Sequence, residues 1–95
     1  MIHIQDKINW TVNETMSLLD APHGTPLRIV GLAGGESVRR RLMALGFHKG
    51  DIVELDGRAI LRGPLLVRNC TSDTTIALGR GVAQKVLVEP AHEPS

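Results

Sequence analysis

Residues 39–51 read RRRLMALGFHKGD and run on into IVELDG. Val38, Leu42 and Leu45 recur at i, i+4 and i+7, which predicts one apolar stripe on a helix from about Glu36 to Leu45, with Leu42 and Leu45 facing inward. Gly46 then stands where a left-handed C′ residue is wanted. Phe47 follows at C″, spaced to fold back on Leu42 in a Schellman ending. Lys49-Gly50-Asp51 turns the chain, and Ile52 onwards alternates as a strand. The stretch therefore predicts helix, sharp stop, turn and strand in a fixed order.

The three arginines do not form a single grip. At about 100° per residue they fan across about 200° of the helix circumference. With the apolar stripe inward, Arg41 borders the core and lays its stem along it, a structural role. Arg39, Arg40, Met43 and Ala44 are left facing water. An exposed methionine beside arginines is a composition that protein interfaces favour, although a plain solvated face explains surface charge as well.

Outward from this segment the pattern is β. LRIVGL, Leu27 to Leu32, is a short branched run ended by Gly34-Gly35, glycines that suit a turn needing positive φ. After Gly63-Pro64, LLVRNC places Leu65 and Val67 on one face, with Leu66 and Cys70 on the other. TTIALG supplies a fourth strand, and KVLVE, Lys85 to Glu89, a fifth that Pro90 ends. Near the N-terminus, Thr11 and Glu14 have capping-box spacing and Val12, Met16 and Leu19 helical spacing, so a short helix or turn is expected to about Asp20. Trp10 reads as a packing anchor for that segment. The expected fold is mainly β with one or two short helices, a small five-stranded barrel that closes its own edges.

Composition bounds the function. Ninety-five residues make one domain, and a net charge of +1 is far from a dedicated nucleic-acid binder. Arg58, Arg62 and Arg68 are interspersed with Asp51, Glu54 and Asp56, which breaks up any phosphate-tracking field. The single cysteine excludes an internal disulfide framework and fits a reducing compartment. No run approaches the ~20 apolar residues of a membrane helix. His3, His23, His48, His92 and Cys70 are the candidate metal ligands, and none stands at a ligating spacing from another, so no metal site or cofactor is assigned. The Gly31 to Ser37 turn lacks the lysine of a phosphate loop, and no base–nucleophile motif is present, which argues against an enzyme.

Four pieces in order resemble the FeoA family of small SH3-like proteins of bacterial ferrous-iron uptake. MSLLDAPHGTPLRIVGLAGG is similar to the family's leader and first strand, and AILRGPLLVRN to its apolar loop, Gly-Pro and strand. IALGRGVAQKVLVEP is similar to its closing turn and terminal strand. The sharpest match is RLMALGFHKGDIVEL, where Arg41, Leu42, Leu45, Gly46, Phe47 and Gly50 fill the signature positions. Two departures stand out: Gly79 follows Leu78 where the family often has arginine, and the N-terminal extension is long. The resemblance divides the chain into an extension at 1–15, an SH3-like barrel domain at 16–90 and a tail at 91–95.

It also implies a non-catalytic accessory protein of ferrous-iron transport, cytoplasmic, that docks on the cytoplasmic part of the transporter FeoB and meets the membrane only through it. Arg39, Arg40 and Met43 on the helix, with the apolar loop residues Ile60 and Leu61, are the expected contact surface. The alternative is a metal-responsive regulatory domain, like the SH3-like domains appended to iron-dependent repressors. Self-association through a free strand edge is a further option for a small β domain.

Overall fold

The computed structural model describes residues 15–56 and 63–91. Six strands and two helices follow in the order β1 (Met16–Ser17), a 3-10 turn (Leu18–Asp20), β2 (Leu27–Leu32), α1 (Gly35–Ala44), β3 (Ile52–Leu55), β4 (Leu65–Asn69), β5 (Thr74–Leu78), α2 (Arg80–Ala83) and β6 (Val86–Pro90). The strands form one antiparallel sheet in the order β1-β6-β2-β3-β4-β5. The fold is the expected mainly β, SH3-like class, with two corrections. Among the described residues there are six strands rather than five, and no ladder joins β1 to β5, so the sheet is not closed.

The sixth strand comes from the leader. Met16 and Ser17 pair with Val88 and Leu87, where helical spacing had predicted a helix or turn. Helix propensity of so short a segment is a weak force beside two residues of sheet pairing and burial of Leu18, which is 0% exposed. The 3-10 turn that follows is capped by Ser17 Oγ, which accepts from Leu19 N at 3.1 Å. Thr11, Val12 and Glu14 lie outside the described residues, as does Trp10.

Period-two alternation points one face of each long strand inward. Leu27 and Ile29, Val53 and Leu55, Leu65 and Val67, and Val86 and Val88 are all buried, and Leu18, Leu42, Phe47, Leu78 and Ala83 complete the core. β2 carries a bulge: Ile29 pairs with Val88 but Gly31 with Leu87, leaving Val30 as the extra residue. No helix among the described residues is long and apolar enough to cross a membrane.

Candidate functional site

The site is built around α1, whose start and stop are both set by glycine. Gly34 precedes it at φ 96° and Gly35 opens it at φ 88°. A Cβ on Gly34 would lie 2.9 Å from Lys85 Cδ and 3.3 Å from Val38 Cβ, so a side chain there is strained by the backbone angle and would also require Lys85 and Val38 to shift. At the other end Gly46 takes φ 95°, Phe47 N donates to Leu42 O at 3.0 Å, and Gly46 N donates to Met43 O at 3.0 Å. Those are the two bonds of a Schellman motif, as the sequence predicts.

Leu45 departs from expectation. It is the C-cap residue, with ψ near zero, and it is 38% exposed rather than inward. The space beneath the last turn is filled instead by Phe47, which is 0% exposed. Arg41 is exposed and forms no ion pair among the described residues. Arg39 and Arg40 are exposed as expected, and both reach one carboxylate, Glu36, at 3.7 Å. Met43 is 50% exposed.

Helical spacing then orders the outer surface. Arg39 lies one turn before Met43, Arg40 before Ala44 and Arg41 before Leu45, each at i, i+4. Around the helix the three guanidinium groups still fan over about 200°, so Arg39 and Arg40 flank Met43 on one side and Arg41 neighbours Leu45 on the other; Met43 and Leu45 are the large hydrophobic residues exposed among those described. Between Gly35 and Asp51 four cations face two carboxylates, a net +2. The remaining seven cations and eight carboxylates give −1.

A buried asparagine holds this surface to the sheet. Asn69, at the end of β4, is 1% exposed. Its Nδ2 donates to Gly46 O at 3.0 Å and to Asp51 Oδ2 at 2.9 Å, while its Oδ1 accepts from Thr71 N at 3.0 Å and Ser72 N at 3.3 Å. Asp51 Oδ2 also accepts from His48 N at 2.9 Å. The exit of α1, the turn into β3 and the β4–β5 turn are tied at one side chain. Sequence reasoning missed Asn69, yet the alternation Leu65, Val67 continues onto it, so a polar residue at an inward position was the available signal.

The other expected residues are not gathered here. Ile60 and Leu61 fall outside the described residues, as do His3 and His92. Gly50 takes φ 95° and its N donates to Ile29 O at 2.7 Å, so its role is in the turn. Among the described residues no three His, Cys, Asp or Glu side chains come together to hold a metal ion. Gly79 caps α2 in an extended conformation. On the outer face of β3–β5 an open groove of about 600 Å³ is lined by Glu54, Asp56, Leu66, Arg68, Asp73 and Thr75 among others. Arg68 and Asp73 pair there at 2.9 Å; that hydrogen bond, then the Asp73 charge, raises the Arg68 pKa.

This geometry defines a class: a small SH3-like β domain whose first two long strands are joined through a helix that presents exposed arginines and an exposed methionine. Residues 16–90 match the FeoA domain, and the chain belongs to the FeoA family, a family of ferrous-iron transport. A FeoA-like protein from Clostridium acetobutylicum superimposes with a TM-score of 0.73 at 21% identity, covering 88% of this chain and 95% of that one. FeoA from Stenotrophomonas maltophilia, solved with zinc and described as a prokaryotic SH3 domain protein, gives 0.63 at 29% identity, covering 78% and 89%. A manganese-dependent transcriptional repressor in complex with manganese shares the fold, with a TM-score of 0.72 at 18% identity; the similarity covers 83% of this chain but 38% of the repressor. No match was found among curated protein sequences.

Proposed function

We propose that this chain is a non-catalytic accessory protein of ferrous-iron uptake that docks, at the cytoplasmic face of the membrane, on the FeoB transporter through the exposed surface of α1. Residues 16–90 are the working domain, with 1–15 and 91–95 as appendages. The observation that carries the reading is the surface itself: Arg39 and Arg40 exposed on either side of the exposed Met43, on a helix tied to the sheet at both ends. Such a patch fits an acidic partner surface with an apolar recess, the two arginines setting orientation and Met43 supplying desolvated contact. Any effect on the transporter's nucleotide cycle then requires that one transporter state bind this surface better than another. Co-purification of the full chain with its cognate transporter tests the reading. Arg40→Glu with Met43→Asp is expected to abolish capture while the circular dichroism spectrum stays unchanged. Undiminished capture removes the α1 surface as the contact.

The shared fold with a manganese-dependent repressor favours a second reading, a metal-responsive regulatory domain acting in trans. Calorimetric titration of the full chain with Fe(II) or Mn(II) decides: stoichiometric binding that changes partner affinity supports this reading over simple docking.

A further inference from the structure

The sheet ends in two edges of different kinds. β1 contributes two residues, whereas β5 presents five, Thr74 to Leu78, with β4 on one side only. Apart from the β4 ladder, no backbone hydrogen bond involves these five residues among those described. Natural edges are normally blunted by lysine, proline, an inward charge or a bulge. β5 has none of these: its sequence is Thr-Thr-Ile-Ala-Leu and its pairing with β4 is regular throughout.

We propose that β5 is a self-pairing edge, on which two copies of this chain join antiparallel with Ile76 opposite Ile76 of the second copy. This is the register that pairs all five residues about a twofold axis. It sets Thr74 opposite Leu78 and Thr75 opposite Ala77, keeping core-side residues on one face and outer residues on the other. No like charges meet within the strand. At each end the register brings Asp73 of one copy alongside Gly79 and Arg80 of the other. Asp73 is free to answer that arginine, since its side chain is 81% exposed despite its bond to Arg68. Ile76, only partly buried against the core, gains cover from its counterpart. Charge complementarity at both ends and an uncharged centre single out a second copy over an unrelated strand as the occupant.

The test is the solution mass of the full chain by sedimentation from micromolar to millimolar concentration, with two double variants at exposed outer positions. The wild type is expected to move from 10.3 kDa towards twice that, 20.6 kDa. T75K/A77K sets lysine opposite lysine twice and is expected to raise the dimer dissociation constant by about tenfold or more, with an unchanged circular dichroism spectrum. T75E/A77K sets glutamate opposite lysine in the same register and is expected to keep the dimer. Amide exchange of β5 in the wild type is expected to accelerate on dilution, a readout independent of either variant. A wild type monomeric throughout, as when another segment of the chain covers the edge, overturns the proposal. So does a dimer indifferent to T75K/A77K, and a monomeric T75E/A77K overturns the register.

Discussion

Truncating Asn69 is the sharpest perturbation of the α1 surface that touches none of its exposed residues. Asn69→Ala deletes four hydrogen bonds in a site that is 1% exposed. Three bonds between neutral groups at about 1 kcal/mol and one to the Asp51 carboxylate at about 2 kcal/mol set a ceiling of about 5 kcal/mol. The Thr71 and Ser72 amides sit in an exposed turn and regain water, which brings the expected loss to about 3 kcal/mol. For a domain of this size that lowers the melting temperature by roughly 12–24 °C. Urea and thermal unfolding followed by far-UV circular dichroism measure it. Asn69→Asp sharpens the argument: one oxygen still accepts from the turn, but the other faces Gly46 O and the Asp51 carboxylate, acceptor against acceptor. The introduced carboxyl faces acceptors that only its protonated form can satisfy, so the variant is expected to lose stability as pH rises through the carboxylate range. A loss below about 1 kcal/mol for Asn69→Ala, or an Asn69→Asp variant no less stable at neutral than at acid pH, refutes the assignment of Asn69 as the tie.

Other substitutions read the same region. Phe47→Ala empties the space under the last turn of α1 and is expected to cost about 3–5 kcal/mol in urea unfolding. Gly46→Ala meets no atom within 4 Å, so its expected cost of about 1–2 kcal/mol is the backbone penalty at φ 95° alone. Because Gly46 O accepts from Asn69, a double-mutant cycle of the two positions is expected to be non-additive. Gly34→Ala is expected to be the worse glycine change, and Lys85→Ala in the same chain should recover the steric part of its loss in thermal unfolding, since Lys85 Cδ is the nearest atom.

What could be read before the fold was known followed local periodicity. The ending of α1 was legible because Gly46 and Phe47 act on neighbours within five residues, and the strands from Leu27, Ile52, Leu65 and Thr74 because alternation is intrinsic to each. Met16 and Ser17 were misread because their partners, Leu87 and Val88, lie at the other end of the chain and leave no mark on the local pattern. Leu45 fits the helical stripe by count, but the stripe ends where the chain leaves helical geometry, and Phe47 takes the buried place. Asn69 was hidden for a different reason: its worth comes from four partners in three separate turns, a convergence that only the folded chain creates.

The distribution of ties around α1 bears on how the surface would work. A ten-residue helix is too short to be stable alone, and α1 buries only Leu42 fully and Val38 in part. Its order must therefore come from its ends: Ala33 N donates to Lys85 O at 2.8 Å before it, and Phe47 and Asn69 hold its exit. Three arginines and an apolar tip are thus presented by a helix whose rigidity is borrowed from β4 and the chain entering β6. Native-state hydrogen exchange should then show α1 amides opening no more easily than the core strands in the wild type. In Asn69→Ala they should open at a lower free energy than the core, while the arginines and Met43 keep their chemistry. A partner that reads this surface would lose affinity in that variant because the helix is no longer held in place. If α1 in the wild type exchanges well before the core, the helix is a loosely attached element, and binding would have to order it first.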